Sequence, residues 1–340
     1  MLHGIRHSPY VTVERIPTRG RARSLAWSGD DLVDVLGGWR RWSRAGVETP
    51  SRVAWAFPFD QVVTSPSGRY RVLYAERGTK ALLIDGDTVT RELNRSFYHA
   101  TDFDYPVALG RLPDGREVLV HCPEHYNELE VEDLESGQPL TSGPRTPRDV
   151  FHSRLSVSPD GRHLLSAGWV WHPYGVGCVY DLERALANSS TLDGLGVAPL
   201  HQAVDAEVES ACWSGSDRIV MATSAEEPLD GGQPDTLGPG QLGVWSITAA
   251  AWLHRSTVAY RVGTMVGCGS RVVALHGYPR LLDPTTGEVV AGWPDIDTGT
   301  KDASYGVTHV PTPIVAPHPD GSRLAIAQSD HIAIVQLPDE

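Results

Sequence analysis

With 340 residues, 41% of them apolar, the chain can bury a sizeable core, and its formal charge of −13 argues against nucleic acid as a main partner. No apolar run approaches the length of a membrane span, and the N-terminus lacks the apolar stretch of a signal peptide, so no membrane contact is expected and the cytoplasm is the expected compartment. Glycine (34) and proline (25) are abundant, and with strand-like segments between them they read as dense turns.

In chain order, Tyr10–Ile16 is a strand with no sheet of its own, since no turn-and-strand partner precedes it. A weak turn-strand unit follows at Ser24–Gly38, then clearer ones at Thr64–Ala75, Arg111–Cys122 and Ser156–Gly168. Each clear unit holds a Pro-(Asp/Ser)-Gly turn, a polar residue and a short β-rich run. Prolines 66, 113 and 159 are spaced by 47 and 46 residues. Weaker units at Ala211–Thr223 and Val266–Gly277 fill the long gap before the last clear one, Ala316–Gln328. A repeat of this length with a hairpin inside it marks a propeller blade, and the units number seven. The expected blades cover approximately 20–55, 56–100, 101–147, 148–203, 204–260, 261–306 and 307–340 of one 1–340 domain. The last blade has strand candidates at Thr312–Ala316, Leu324–Gln328 and Ile332–Gln336, one strand short. The N-terminal segment 10–16 is expected to supply the fourth and close the ring. Helix is expected only as a turn or two within Asp181–Ser190.

These phrases resemble the WD40-like and YVTN-like seven-bladed β-propeller superfamily of stand-alone, bacterial type, and the resemblance covers essentially the whole chain. The Ser-Pro-Asp-Gly-(Arg/His) turn carries it. The Trp-Asp dipeptide is absent, with Tyr180-Asp181, Glu132-Asp133 and Trp245-Ser246 at the corresponding strand ends. The resemblance implies an all-β, rigid disk that presents loops to partners.

In such a disk the loops entering each innermost strand and those joining the second and third strands share one face. The entry loops carry Asp60, Asp102, Asp104, His152, Glu207, Glu209 and His309, which should converge on the channel mouth. The second-to-third loops carry Trp39, Arg40 and Trp42; His125 and Tyr126; Trp171, His172 and Tyr174; and Tyr278. Trp, Tyr and Arg dominate binding hot spots because they bury large area and keep a polar tip. A long insertion, Ser224–Gln241, joins the same face in the fifth blade.

The cysteines, at 122, 178, 212 and 268, form no Cys-x-x-Cys pair and are expected as free thiols on inner strands of four blades. His125, His152, His309 and Glu209 are the set weighed as a metal site at the mouth, but no metal and no cofactor are expected, and no nucleophile or phosphate-loop motif occurs. The leading expectation is a scaffold that binds a protein or peptide through the loop-rich face. The alternative is a lyase, cyclase or hydrolase on a small molecule, with His152, Glu209, His125 or Asp60 as acid–base groups.

Overall fold

The computed structural model describes residues 12–51, 53–171, 174–197, 200–226, 235–300 and 311–338. Its strands form seven antiparallel sheets arranged as the blades of a propeller. With strands lettered a to d from the channel outward, blade 1 comprises Ala26–Ser28, Asp31–Asp34, Arg40–Trp42 and Glu48–Thr49. Blade 2 comprises Gln61–Thr64, Tyr70–Tyr74, Lys80–Asp85 and Thr88–Asn94. Blade 3 has three strands, Val107–Arg111, Glu117–His121 and Glu130–Asp133. In blade 4, strand a is split into Val150–Phe151 and Leu155–Val157, followed by His163–Val170 and Tyr174–Asp181. Blades 5 and 6 have four strands each, within 208–257 and 265–292. Blade 7 comprises Val315–Pro317, Arg323–Ala327 and His331–Gln336, with Val13–Pro17 as its outer strand.

The Pro-Asp-Gly repeat forms strands a and b through one recurring device. Gly161 N donates to Ser158 O (2.9 Å) and Ser158 N to His163 O (2.8 Å), and the bonds recur at Ser65–Tyr70, Leu112–Arg116 and His318–Arg323. The turn requires a left-handed residue, and Gly161 has φ +74°. There is a second reason for glycine: a Cβ at Gly161 would lie 1.8 Å from the carbonyl oxygen of Arg111 in the neighbouring blade.

Alternation along the strands sends one set of side chains to each flanking blade, so the core is seven seams rather than one centre. Val72, Leu83, Leu109 and Leu119 fill the seam between blades 2 and 3, and Val118, Val120, Leu164 and Tyr180 the next. Ile16, Leu32, Trp42, Ile332 and Ile334 seal blade 7 against blade 1. There, Trp27 Nε1 donates to Ala316 O (2.8 Å) and Arg323 pairs with Asp30 (2.8 Å). The closing strand runs antiparallel to the last one, Val13 opposite Val335 and Ile16 opposite Ile332. Tyr10 lies outside the described residues.

Blade 4 replaces its outer strand with the helix Leu182–Ala187, capped by Asp181, whose side chain accepts from Arg184 N. The four cysteines are buried and free, in four different blades. Only Cys212 and Cys268 lie on innermost strands; Cys178 lies on a third strand and Cys122 just beyond a second. None of the described helices is long and apolar enough to cross a membrane.

Candidate functional site

The entry loops bring charge to the channel, a cavity of about 570 Å³ lined at its mouth by Glu76, Asp104, Arg154, Glu209 and Thr312. Two of these carboxylates answer to arginines. Arg77 Nε donates to Asp104 Oδ1 (2.9 Å), and Arg261 Nη2 to Glu209 Oε1 (2.9 Å). Glu76 accepts from the backbone N–H of Thr312 (3.2 Å) and from its hydroxyl, while Asp60 Oδ1 accepts from Glu76 N (2.7 Å). Burial, with Glu76, Asp104 and Asp60 near, pushes the Tyr74 hydroxyl far above its ordinary pKa.

Arg154 explains the split of strand a in blade 4. Its φ is +48°, and its side chain donates through Nε to Ala167 O (2.8 Å) and through Nη1 to Glu209 O (2.6 Å) in blade 5. Burial pulls its pKa down.

Above blades 2 to 4 the loops build an aromatic patch. Tyr126 stacks on Phe151 (4.5 Å between ring centres), and Phe151 stacks on Trp169 (3.7 Å). Tyr98 lies 4.9 Å from Tyr126 and 4.5 Å from His99, which in turn meets Trp171 edge-on at 5.5 Å. The Tyr126 hydroxyl donates to Asp149 (2.6 Å), and burial plus that bond raise its pKa. His99 Nδ1 lies 2.6 Å from Asp102 Oδ2. Phe97 is 85% exposed, Tyr98 and Trp171 48% each, and Tyr174 40%.

The loop carrying Phe97 to Phe103 is held from below by Arg95. This buried guanidinium donates to the carbonyl oxygens of Gly78 (2.7 Å), Ala100, Phe103 (2.9 Å) and Asp104 (3.2 Å). It also lies over the rings of Phe103 and Tyr105, and burial lowers its pKa to about 10.

The remaining sequence-derived residues are dispersed. Tyr126, Trp171 and Tyr174 sit together or on the adjoining hairpin. Trp39, at φ +67° beneath the Arg71 guanidinium (5.0 Å), and Tyr278, stacked under Arg280 (3.8 Å), belong to blades 1 and 6. Arg40 is committed to buried Asp34 (2.7 Å), which also accepts from the backbone N–H groups of Arg23, Ser24 and Gly37. Trp42 is fully enclosed in the seam between blades 7 and 1 and offers nothing to a partner, because its strand position faces inward. His125 is exposed on its loop. His152 does not reach the channel. It is buried against Tyr180, its Nδ1 3.1 Å from Ser166 Oγ, and burial lowers its pKa to about 3. That placement removes it from the set weighed for metal at the mouth. His172 and His309 lie outside the described residues. Sequence reasoning missed Phe97, Tyr98 and His99, although the aromatic density of residues 97–105 marks them.

No protein-family model matches the chain, and neither does any curated protein. Among solved structures it is similar to a chain in the crystal structure of the mitotic checkpoint complex, at 12% identity. The TM-score is 0.58 over 96% of this chain and 91% of that one. The likeness is one of fold: both are built as propellers.

Proposed function

We propose that the protein is an interaction scaffold that docks a protein or peptide on the aromatic patch over blades 2 to 4. The observation that carries this reading is the exposure of Tyr98 and Trp171 around rings already stacked on one another, with Phe97 exposed beside Tyr98 in the chain and Tyr174 exposed on the hairpin that carries Trp171. Lone exposed apolar residues are ordinary, but a contiguous aromatic group with polar tips has the make-up of a hot spot. Stacking below lowers the entropy lost when a partner immobilises these side chains. The patch is bordered by acidic groups, with Asp102 and Asp149 bonded to its rings and Glu124 exposed on the Tyr126 loop. The fitting partner presents an apolar anchor flanked by basic residues. The neighbour in fold was solved within a multi-protein assembly, which supports a scaffold role by analogy.

The acid–base alternative is less well supported. No histidine lines the channel cavity among the described residues, and Asp104 and Glu209 at its mouth are held by arginines.

The test is crosslinking and affinity capture with the full chain and with a Phe97→Ala/Trp171→Ala variant, followed by titration of the captured partner. Each replacement should weaken the complex at least about tenfold, which is 1.4 kcal/mol, with stronger binding at low salt. A partner retained equally by the variant, or lost only from a variant lacking Trp39 and Tyr278, overturns the reading.

A further inference from the structure

Blade 3 pairs the last residue of strand b with the first of strand c, so His121 stands directly opposite Glu130. Glu132, two residues along, emerges on the same face as Glu130. That face looks toward blade 2, where Arg91 on strand d bonds one oxygen of Glu132. The ligand atoms of His121, Glu130 and Glu132 lie within 4.8 Å of one another, a grouping of metal-ligand side chains found once among the described residues.

These groups are close without bonding. His121 Nε2 is 3.8 Å from a Glu132 oxygen and 4.0 Å from a Glu130 oxygen, too far for hydrogen bonds. Neither imidazole nitrogen finds a partner, although the side chain is only 4% exposed. A buried polar ring with both nitrogens unsatisfied is rare in a folded protein. The separations suit a bridging cation instead. Metal–nitrogen and metal–oxygen bonds of about 2.0–2.2 Å at tetrahedral angles put ligand atoms roughly 3.4 Å apart, and small side-chain rotations close the difference.

We propose that His121, Glu130 and Glu132 form a binding site for a first-row divalent transition cation such as Zn²⁺, at the seam between blades 2 and 3. One imidazole nitrogen and two carboxylates supply three ligands, and water entering beside half-exposed Glu130 supplies the fourth. Arg91 holds Glu132 through one oxygen and leaves the other facing His121, the kind of outer contact that orients a metal-bound carboxylate. Arg91 alone leaves the two carboxylates one negative charge in excess, which favours a cation beside them. The ion also ties strands b and c together where blade 3 has no fourth strand.

The experiment titrates chelator-treated full-length protein with Co²⁺ and follows the visible absorption of the bound ion, then displaces it with Zn²⁺. One Co²⁺ per chain is expected, with a rise in melting temperature on adding Zn²⁺. Glu130→Gln alters a half-exposed side chain, so it should keep the native circular dichroism and bind Co²⁺ at least tenfold more weakly. His121→Gln should abolish the absorption bands, and if it fails to fold, Glu130→Gln decides. Absence of binding by the wild-type protein overturns the site, as does a Glu130→Gln variant that binds with unchanged affinity and stoichiometry.

Discussion

Acid should destabilise this protein, and one buried histidine should contribute a share of the loss that can be isolated. His152 is buried and neutral, its ring bonded toward Ser166, and burial lowers its pKa from 6.5 to about 3, with the Asn127 backbone pulling weakly the other way. In the unfolded chain the same imidazole takes up a proton near pH 6.5. Below that pH the unfolded state therefore binds more protons than the native state, and stability must fall as pH falls. One unit of difference is worth 1.36 kcal/mol, so between pH 6.5 and 5.0 this one side chain should remove about 2 kcal/mol. The loss continues until the pH reaches the native value near 3. Urea unfolding of the wild type and of His152→Gln at pH 7.5, 6.0 and 5.0 isolates the effect, because every other titrating group contributes to both curves. The variant should lose about 2 kcal/mol less on going to pH 5.0. Parallel curves, or an imidazole that titrates near pH 6.5 in the folded protein, would refute the reasoning and reopen His152 as an acid–base group.

Gly161→Ala should cost roughly 2–4 kcal/mol, combining a left-handed backbone with a clash against Arg111 that only a shift between blades can relieve; a melting temperature unchanged from wild type contradicts this. Deleting residues 1–17 removes five residues paired with the last strand and uncovers Ile332 and Ile334. Loss of Ile16 burial alone is worth roughly 2–3 kcal/mol, and the bared edges should bring concentration-dependent aggregation visible by light scattering. Arg95→Met should leave every ring of the aromatic patch in place chemically yet loosen residues 96–104, read as faster amide exchange there and weaker partner binding; unchanged protection of that segment counts against Arg95 as its anchor. The thiols should react with Ellman's reagent only after denaturation, all four together, because burial raises Cys178 and Cys268 to about 12 and the other two further.

The turn chemistry made the architecture legible. A Pro-Asp-Gly segment needs a left-handed glycine and two flanking strands, and its spacing counts blades even where Gly215 and Gly269 stand without the proline. The site was less legible because one residue type serves two purposes in a propeller. Trp42 and Trp171 both stand at strand ends rich in arginine or aromatic residues, yet Trp42 is the last residue of its strand and faces a seam, whereas Trp171 lies one residue past the end of its strand, in a turn, and is left half in water. His152 looked like a channel group from its place at a strand entry. The split of strand a turns it inward and lets Arg154 take the channel position instead. No periodicity announces such a break, since it depends on one residue accepting a positive φ. His121 and Glu130 were hidden for a related reason: nine positions apart in sequence, they meet only through the register of a hairpin.

The closing strand has a bearing on how the protein comes to be folded. Val13 must find Val335, a contact more than 300 residues long in sequence, and no earlier strand can substitute for its partner. At ~5–20 residues per second, synthesis keeps the first strand waiting roughly 15–65 s before the last one emerges. Six blades can assemble on their seams during that interval, while blade 7 and its unpaired edge remain exposed to other chains. Ring closure is thus the slow, concentration-sensitive step, and a nascent chain halted before residue 331 would hold a nearly finished disk that cannot lock.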